Sequence, residues 1–202
     1  MNYLSWSAEK NSAAIVKQAV TALKKGRVLV LPTDTIYGFS CLADREAAIK
    51  KIYHLKNRSV AKPLIILVSG LEMAKRFVYI SASQAEHLRR AWLKGSRPTT
   101  FILRSRGVLP PLLSAFSPTL AVRLPKSKFL IRILKELKKP LVSTSLNLSG
   151  QEDIFNLSDL ELYWPHKSRQ PDLIIDAGPL PRRRPSRLID LTAADGPKIL
   201  RN

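Results

Sequence analysis

The sequence predicts an α/β fold in which helices cover a β-sheet, and three observations support this. Residues 28–31 form an unbroken apolar run of strand length, the pattern of a strand buried on both faces. Helical spacing of apolar residues precedes this run at residues 12–25 and follows it at residues 44–56. The alternation of helix and strand then continues along the 202 residues, a length that predicts a single domain over residues 1–202.

The helices are predicted from apolar residues three and four positions apart. In residues 12–25 these include Ile15, Val16, Ala19 and Leu23, and Gly26 ends the helix. Asp44 is a predicted N-cap for the helix that reaches Lys56. The same spacing predicts helices at residues 83–93, 129–137 and 158–163.

Short apolar runs predict strands at residues 64–68, 101–103, 120–124, 173–175 and 188–191. A further strand ends at Leu141 and Val142, and the residues after it are predicted to form a loop. That loop belongs to the sequence KPLVSTSLNLSG, residues 139–150, and carries four hydroxyls and the Asn147 amide, while Gly150 permits a positive φ. Such a loop can hold an anion at the end of a strand, or its polar groups can simply cap a strand-to-helix turn.

The charge of the chain predicts an anionic partner. Lysine and arginine exceed aspartate and glutamate by 19, which favours nucleic acid, nucleotide phosphates or an acidic protein. The basic residues lie in small groups along the chain, of which the densest is RRRPSR at residues 182–187. This distribution predicts a folded basic surface rather than a disordered arm.

Several features bound the location and the chemistry. No apolar run approaches the roughly 20 residues of a membrane helix, so we expect no membrane partner. The N-terminus has no signal-peptide pattern and Cys41 is the only cysteine, so we expect a cytoplasmic protein. Neither of the common glycine-rich phosphate loops is present. The three histidines are scattered, so no protein metal site is predicted.

Three sequence motifs in order suggest a family. The chain contains PTDTIYG at residues 32–38, LKNRSVAKPL at residues 55–64 and KPLVSTSLNLSG at residues 139–150, with AVRLP at residues 121–125 between the last two. Together these motifs resemble the YrdC family, the threonylcarbamoyladenylate synthases also called TsaC. The resemblance runs from about Arg27 to Leu191 and has the family's short single-domain form. It implies an α/β fold with a twisted mixed sheet around a deep basic cavity.

The resemblance also implies a reaction and its partners. L-threonine, bicarbonate and ATP would give threonylcarbamoyl-AMP and pyrophosphate, for the threonylcarbamoyl modification (t6A) of adenosine 37 in tRNA. Magnesium would arrive with the ATP rather than on dedicated protein ligands. The expected macromolecular partners are tRNA or a tRNA-modifying complex of the TsaB/TsaD/TsaE type.

Site residues follow from the resemblance position by position. Catalysis and ATP binding are assigned to Lys56, Arg58, Ser145 and Asn147, with Ser186 also near ATP, and threonine binding is assigned to Thr33, Thr35, Arg123 and Ser143. The chemistry suits these residue types, because two anions meet in the reaction. Lys56 would act as a mobile point charge, Arg58 as a fork on phosphate oxygens, and Arg123 as the partner of the threonine carboxylate.

This chain departs from the family at three places. Arg97 replaces a small residue before a strand. Leu146 replaces a small residue between Ser145 and Asn147 and is expected to crowd the adenosine. An unusual run of three arginines, Arg182, Arg183 and Arg184, is a candidate for contact with tRNA or an acidic partner. Two alternatives therefore stay open: an RNA-binding module, and a paralogue with the same fold and another activity.

Overall fold

A computed structural model describes residues 2–7, 12–165, 170–193 and 195–202. Its α-helices are α1 (Ser12–Lys24), α2 (Glu46–Leu55), α3 (Leu71–Lys75), α4 (Ala82–Arg89), α5 (Lys128–Leu137) and α6 (Leu160–Tyr163). A π-helical turn at Arg90–Lys94 continues α4, and short 3-10 helices lie at Pro111–Ser114 and Leu157–Asp159. Its strands are β1 (Tyr3–Ser5), β2 (Leu29–Pro32), β3 (Tyr37–Leu42), β4 (Ile65–Leu67), β5 (Thr99–Arg104), β6 (Thr119–Arg123), β7 (Leu141–Ser145), β8 (Leu173–Asp176), β9 (Arg187–Asp190) and β10 (Lys198–Arg201).

The ten strands form one sheet in the order β1, β8, β2, β3, β7, β4, β6, β5, β9, β10. Parallel pairs join β1 to β8, β8 to β2, β4 to β6 and β5 to β9, and the remaining neighbours are antiparallel. The predicted α/β class with a mixed sheet is therefore confirmed.

Two apolar clusters cover the two faces of the sheet. Along β2, Leu29 and Leu31 pack with α1 and α5, while Val28 and Val30 belong to the cluster that includes α2. Successive side chains of a strand point to opposite faces, so the continuous apolar run at residues 28–31 is buried on both sides, as predicted. The helix end at Gly26 is also as predicted, since Gly26 has φ +75°.

The prediction of a loop after Val142 is wrong. Strand β7 continues through Ser143, Thr144 and Ser145, which pair with β3 in antiparallel register. Leu141, Ser143 and Ser145 share one face of this strand, so the same face is apolar at one end and polar at the other. A polar strand of this kind is stable because it lies between β3 and β4, which supply its backbone hydrogen bonds.

Other elements were not predicted. Strand β3 follows β2 after a short turn, and α3, β1 and β10 are further additions. Asp44 does not cap α2; the N-cap position is Arg45, and the Asp44 carboxylate instead forms an ion pair with Lys139 at 2.6 Å. In the part of the chain that the structure describes, no helix is long and apolar enough to cross a membrane.

Candidate active site

A cavity of about 590 Å³ opens on one side of the central strands. We call it the main cavity. Its volume lies in the range of small-molecule sites, about 300 to 1,000 Å³. Seven of the nine predicted site residues line it: Thr33, Thr35, Arg58, Arg123, Ser143, Ser145 and Ser186.

The position of the main cavity follows from strand register. Ser143 of β7 pairs with Ile65 of β4, which pairs with Ala121 of β6, and all three line the main cavity. Further along the same face, Leu141 and Leu67 belong to the apolar cluster that α1 and α5 cover. The main cavity is thus the part of this sheet face that lies beyond those two helices.

The motif PTDTIYG forms the turn between β2 and β3. The Thr33 hydroxyl donates to the Ile36 carbonyl at 2.7 Å and accepts from the backbone N–H groups of Thr35 and Ile36. Tyr37 donates its phenolic proton to the Gly178 carbonyl at 2.7 Å, which ties the motif to the segment after β8. The Thr33 hydroxyl therefore organises the turn as well as lining the main cavity.

Gly38 is required by close packing. A Cβ atom at this position would lie 2.8 Å from the Thr144 carbonyl oxygen and 3.5 Å from Ser143 Oγ. Only glycine lets β3 approach β7 so closely while the serine hydroxyls stay open to the main cavity.

A Schellman motif at the end of α2 separates Lys56 from Arg58. The N–H of Arg58 donates to the Tyr53 carbonyl and the N–H of Asn57 donates to the His54 carbonyl. Asn57 has φ +48°, a left-handed conformation that asparagine tolerates better than most residues. Arg58 then lines the main cavity, where its guanidinium is held by the carbonyl oxygens of Lys62 and Pro63.

Lys56 is not the mobile charge that was predicted. Only 1% of the residue is exposed, and it is not among the residues that line the main cavity. Its Nζ donates to the Ser145 carbonyl at 2.5 Å, to the Asn147 carbonyl at 3.0 Å and to Asn147 Oδ1 at 2.5 Å. These bonds fix the end of β7 and the loop after it.

The environment of Lys56 changes its protonation. Burial lowers the pKa of Lys56 to about 7, the Arg58 charge acts in the same direction, and the Asp153 carboxylate opposes both. The physical cause is that burial penalises the ammonium form. Lys56 therefore changes its charge near neutral pH, while the three surrounding oxygen atoms are acceptors that bind the ammonium form.

Asn147 also lies behind the main cavity rather than in its lining. Its Oδ1 accepts from the Ser145 hydroxyl at 2.9 Å as well as from Lys56, and its Nδ2 donates to the Gln151 carbonyl at 2.7 Å. Ser145 is the member of this group that faces the main cavity. The four residues assigned to catalysis therefore lie at or next to the main cavity: Arg58 and Ser145 line it, and Lys56 and Asn147 hold Ser145 from behind.

Arg123 lines the main cavity, but a carboxylate of the chain already faces it. Nη2 of Arg123 lies 2.7 Å from Oδ1 of Asp34, and the side chains of both residues are 6% exposed. The two groups are not aligned for a hydrogen bond. The guanidinium predicted to hold a substrate carboxylate thus has an internal carboxylate as its partner.

Sequence reasoning missed Arg201. This residue of β10 lines the main cavity, and its Nε and Nη2 donate to the carbonyl and hydroxyl oxygens of Ser186. Burial lowers the pKa of Arg201, as does the nearby Arg123 charge. No familiar motif marks Arg201; only its place on a strand beside β9 brings it to the site.

The main cavity carries an excess of positive charge. Arg58, Lys62, Arg123 and Arg201 line it, and Asp153 is the only carboxylate among the described lining residues. Cations of this number, interspersed with serine and threonine hydroxyls, are suited to the oxygens of phosphate and carboxylate groups.

The three departures from the family have different positions. Leu146 is fully buried in the apolar core and does not line the main cavity, so the expected crowding is wrong. Arg97 contacts Asn202 Oδ1 at 3.1 Å. Arg182, Arg183 and Arg184 are exposed, and their contact with tRNA or an acidic partner stays a prediction.

The fold and site define an α/β protein with a mixed sheet and a cationic, hydroxyl-lined cavity that is suited to anionic small molecules. Comparison with known sequences gives the family: residues 21–202 match the family Sua5_yciO_yrdC, described as "Telomere recombination". The chain belongs to this family.

Curated relatives are similar over most of this chain. The human threonylcarbamoyl-AMP synthase is 34% identical over 163 residues, which are 81% of this chain and 56% of the relative. A Vibrio vulnificus protein of the same name is 31% identical over 138 residues, or 68% of this chain and 74% of the relative. The chain thus spans little more than half the length of the mammalian relatives.

Solved structures share the whole architecture. P. abyssi Sua5 complexed with L-threonine has a TM-score of 0.84 and 25% identity, covering 99% of this chain and 56% of that protein. E. coli YciO has a TM-score of 0.80 and 25% identity, covering 100% of this chain and 94% of that protein. These similarities confirm the fold that the sequence motifs implied.

Proposed function

We propose that this protein is a threonylcarbamoyl-AMP synthase that joins L-threonine, bicarbonate and ATP. The observation that carries the proposal is the cationic lining of the main cavity, in which Arg58, Arg123 and Arg201 surround the hydroxyls of Ser143, Ser145 and Ser186. Relatives with this name and a structural neighbour complexed with L-threonine support it.

The proposed chemistry has two bond-forming steps. The neutral amine of threonine attacks the carbon of CO₂ formed from bicarbonate, and loss of a proton leaves a carbamate. A carbamate oxygen then attacks the α-phosphorus of ATP, the bond to the β-phosphate oxygen breaks, and pyrophosphate leaves. Both partners in the second step are anions, so cations beside them lower the barrier by stabilising the charge that develops.

The proposed roles follow the geometry. Arg58 and Arg201 bind phosphate oxygens, because guanidinium groups bind them bidentately. Arg123 binds the threonine carboxylate in place of Asp34, and Thr33, Thr35 and Ser143 line the threonine end. The Ser145 hydroxyl donates to Asn147 Oδ1 without substrate and would turn its proton to the reacting groups when they bind, while Lys56 and Asn147 position Ser145. Ser186 lies near ATP, where its hydroxyl is 2.9 Å from that of Thr100.

Magnesium fits this site as a companion of the nucleotide. The described residues contain no group of three or more metal-binding side chains, and Asp153 is the single carboxylate in the described lining of the main cavity. Mg²⁺ is commonly held by one or two carboxylates together with substrate phosphates. The ion would therefore arrive with the nucleotide and neutralise phosphate charge, and Asp153 is the one carboxylate in the described lining that could contact it.

The product would serve the modification of adenosine 37 in tRNA. Threonylcarbamoyl-AMP is a mixed anhydride, so a second catalyst must transfer its acyl group to the adenine amine. We propose tRNA or a tRNA-modifying complex of the TsaB/TsaD/TsaE type as the recipient, in the cytoplasm.

The test is pyrophosphate release measured with ATP in the presence and absence of L-threonine and bicarbonate. The proposal expects release that depends on both, because the attacking carbamate is made from the two together. Serine lacks one methyl group and should be used about 10- to 100-fold less efficiently. Equal release without threonine or without bicarbonate would contradict the proposal and favour a paralogue with another activity.

A further inference from the structure

A second, smaller cavity of about 210 Å³ lies beside the PTDTIYG turn. We call it the side cavity. Asp34 and Thr35 of the turn line it, together with four basic residues, Arg97, Lys126, Arg183 and Arg184. The buried pair of Asp34 and Arg123 lies between it and the main cavity, since Asp34 lines the former and Arg123 lines the latter.

The positive charges of the side cavity are not neutralised by the chain. Across residues 2–7, 12–165, 170–193 and 195–202, none of the four basic residues forms an ion pair. The single carboxylate in the lining, Asp34, already has Arg123 as its partner at 2.7 Å. Like charges that share one small cavity repel each other, so an anion that entered would be stabilised.

Arg97, which lines the side cavity, also has a buried N–H group, that of Nη2, without a hydrogen-bond partner among the described residues. A buried donor without an acceptor costs free energy, so an anion that supplied the acceptor would be bound more tightly. Arg97 is one of the departures from the family that the sequence resemblance led us to expect, so the resemblance does not account for this donor.

The side chains of the arginine run separate into two groups. Arg182 stacks on the Phe155 ring at 5.5 Å and does not line the side cavity. Arg183 and Arg184 do line it, and Nη1 of Arg183 donates to the Asp34 carbonyl at 3.1 Å. Arg183 and Arg184 therefore line the side cavity, and Arg183 also contacts the turn that carries Thr33 and Thr35.

We propose that the side cavity binds a small phosphoanion, such as inorganic phosphate or pyrophosphate. Three guanidinium groups match the oxygens of a tetrahedral anion, and guanidinium binds such oxygens bidentately. The volume of the side cavity suits one small anion and is too small for a nucleotide. The four basic side chains of the side cavity are not used in the reaction proposed for the main cavity, although Thr35 lines both cavities and Asp34 borders the proposed threonine site.

The test is titration of the protein with inorganic phosphate and, separately, with pyrophosphate, followed by calorimetry. Arg184→Ser and Arg97→Gly should each weaken binding about tenfold, because each removes charge-assisted hydrogen bonds. Arg182→Ser is the matched control, since it removes the same charge from the same run, and should change the affinity less than twofold. Exposed positions such as Arg184 tolerate substitution, and melting without added anion checks that every variant is folded.

One further variant locates the anion. Arg58→Ala removes a cation of the main cavity, where pyrophosphate is also expected to bind as the product, so it should leave unchanged only the binding that Arg184→Ser weakens. If Arg58→Ala abolished that same component of inorganic phosphate binding, the anion would lie in the main cavity and the proposal would be overturned. Equal losses in the Arg182, Arg184 and Arg97 variants would indicate general charge attraction and would also overturn it. If Arg184→Ser weakened the binding of an RNA oligonucleotide but not the binding of phosphate, the arginines would form an RNA contact and the proposal would be overturned.

Discussion

The buried pair of Asp34 and Arg123 leads to a prediction about both stability and substrate binding. Asp34→Asn leaves the Arg123 guanidinium without its anionic partner. Removing one member of a buried ion pair costs about 3 to 5 kcal/mol. We expect about 1 to 3 kcal/mol here, because Arg123 borders a cavity of about 590 Å³ and the pair is not aligned for a hydrogen bond.

The same change should strengthen threonine binding. In the parent protein the substrate carboxylate must displace Asp34 from Arg123, whereas in Asp34→Asn the guanidinium is free. We expect the KM for threonine to fall about three- to tenfold, and threonine to raise the melting temperature of the variant more than that of the parent. Arg123→Ala should remove the effect of threonine in both backgrounds.

The measurements are urea unfolding for stability and pyrophosphate release for the threonine KM. Asp44→Asn is the matched control, because Asp44 pairs with Lys139 at 2.6 Å with side chains that are 37% and 47% exposed. An exposed pair contributes about 0 to 1 kcal/mol. If Asp34→Asn lost no more stability than Asp44→Asn and kept the parent's threonine KM, the assignment of Asp34 as the competitor for Arg123 would be wrong.

Three further predictions concern single positions. Lys56 has a folded-state pKa of about 7, below its ordinary value, so the unfolded chain binds more protons than the folded chain between pH 7 and pH 10. The free energy of unfolding of the parent should therefore rise by about 2 kcal/mol from pH 7 to pH 9 relative to that of Lys56→Met. Urea unfolding at each pH measures this difference. Gly38→Ala places a Cβ atom 2.8 Å from the Thr144 carbonyl and should cost about 1 to 3 kcal/mol of stability in the same assay. Arg58→Ala should lower kcat for pyrophosphate release about 100-fold, with a smaller effect on the KM for threonine.

Each of these predictions has an outcome that contradicts it. Parallel pH profiles for the parent and Lys56→Met would mean that Lys56 keeps its proton throughout. Gly70→Ala is the control for Gly38→Ala, because a Cβ atom there meets nothing within 4 Å, and equal stability losses at the two positions would exclude steric contact as the cause. A raised threonine KM with unchanged kcat would move Arg58 from the phosphates to the threonine end.

Sequence patterns sufficed wherever local spacing decides the structure. Helix α1 buries the residues that its three- and four-residue spacing selects, including Ile15, Val16 and Leu23, and ends at Gly26. The order of the three family motifs likewise identified the segments that surround the main cavity, including the turn at residues 32–38 and the helix end at Lys56, although the residues after Val142 were predicted as a loop. In these segments the relevant neighbours are a few residues apart in the chain, so sequence periodicity carries the information.

The tertiary structure alone decided features that depend on distant partners. Ser143 and Ser145 are polar yet belong to a strand, because β3 and β4 supply the hydrogen bonds on either side of β7. Lys56 points into the protein because the carbonyl oxygens of Ser145 and Asn147 lie beside the end of α2. Arg201 reaches the main cavity through the pairing of β10 with β9, and Asp34 meets Arg123 across 89 positions of sequence. No local pattern encodes these contacts, since burial and charge pairing arise only when strands remote in sequence are brought together in one sheet.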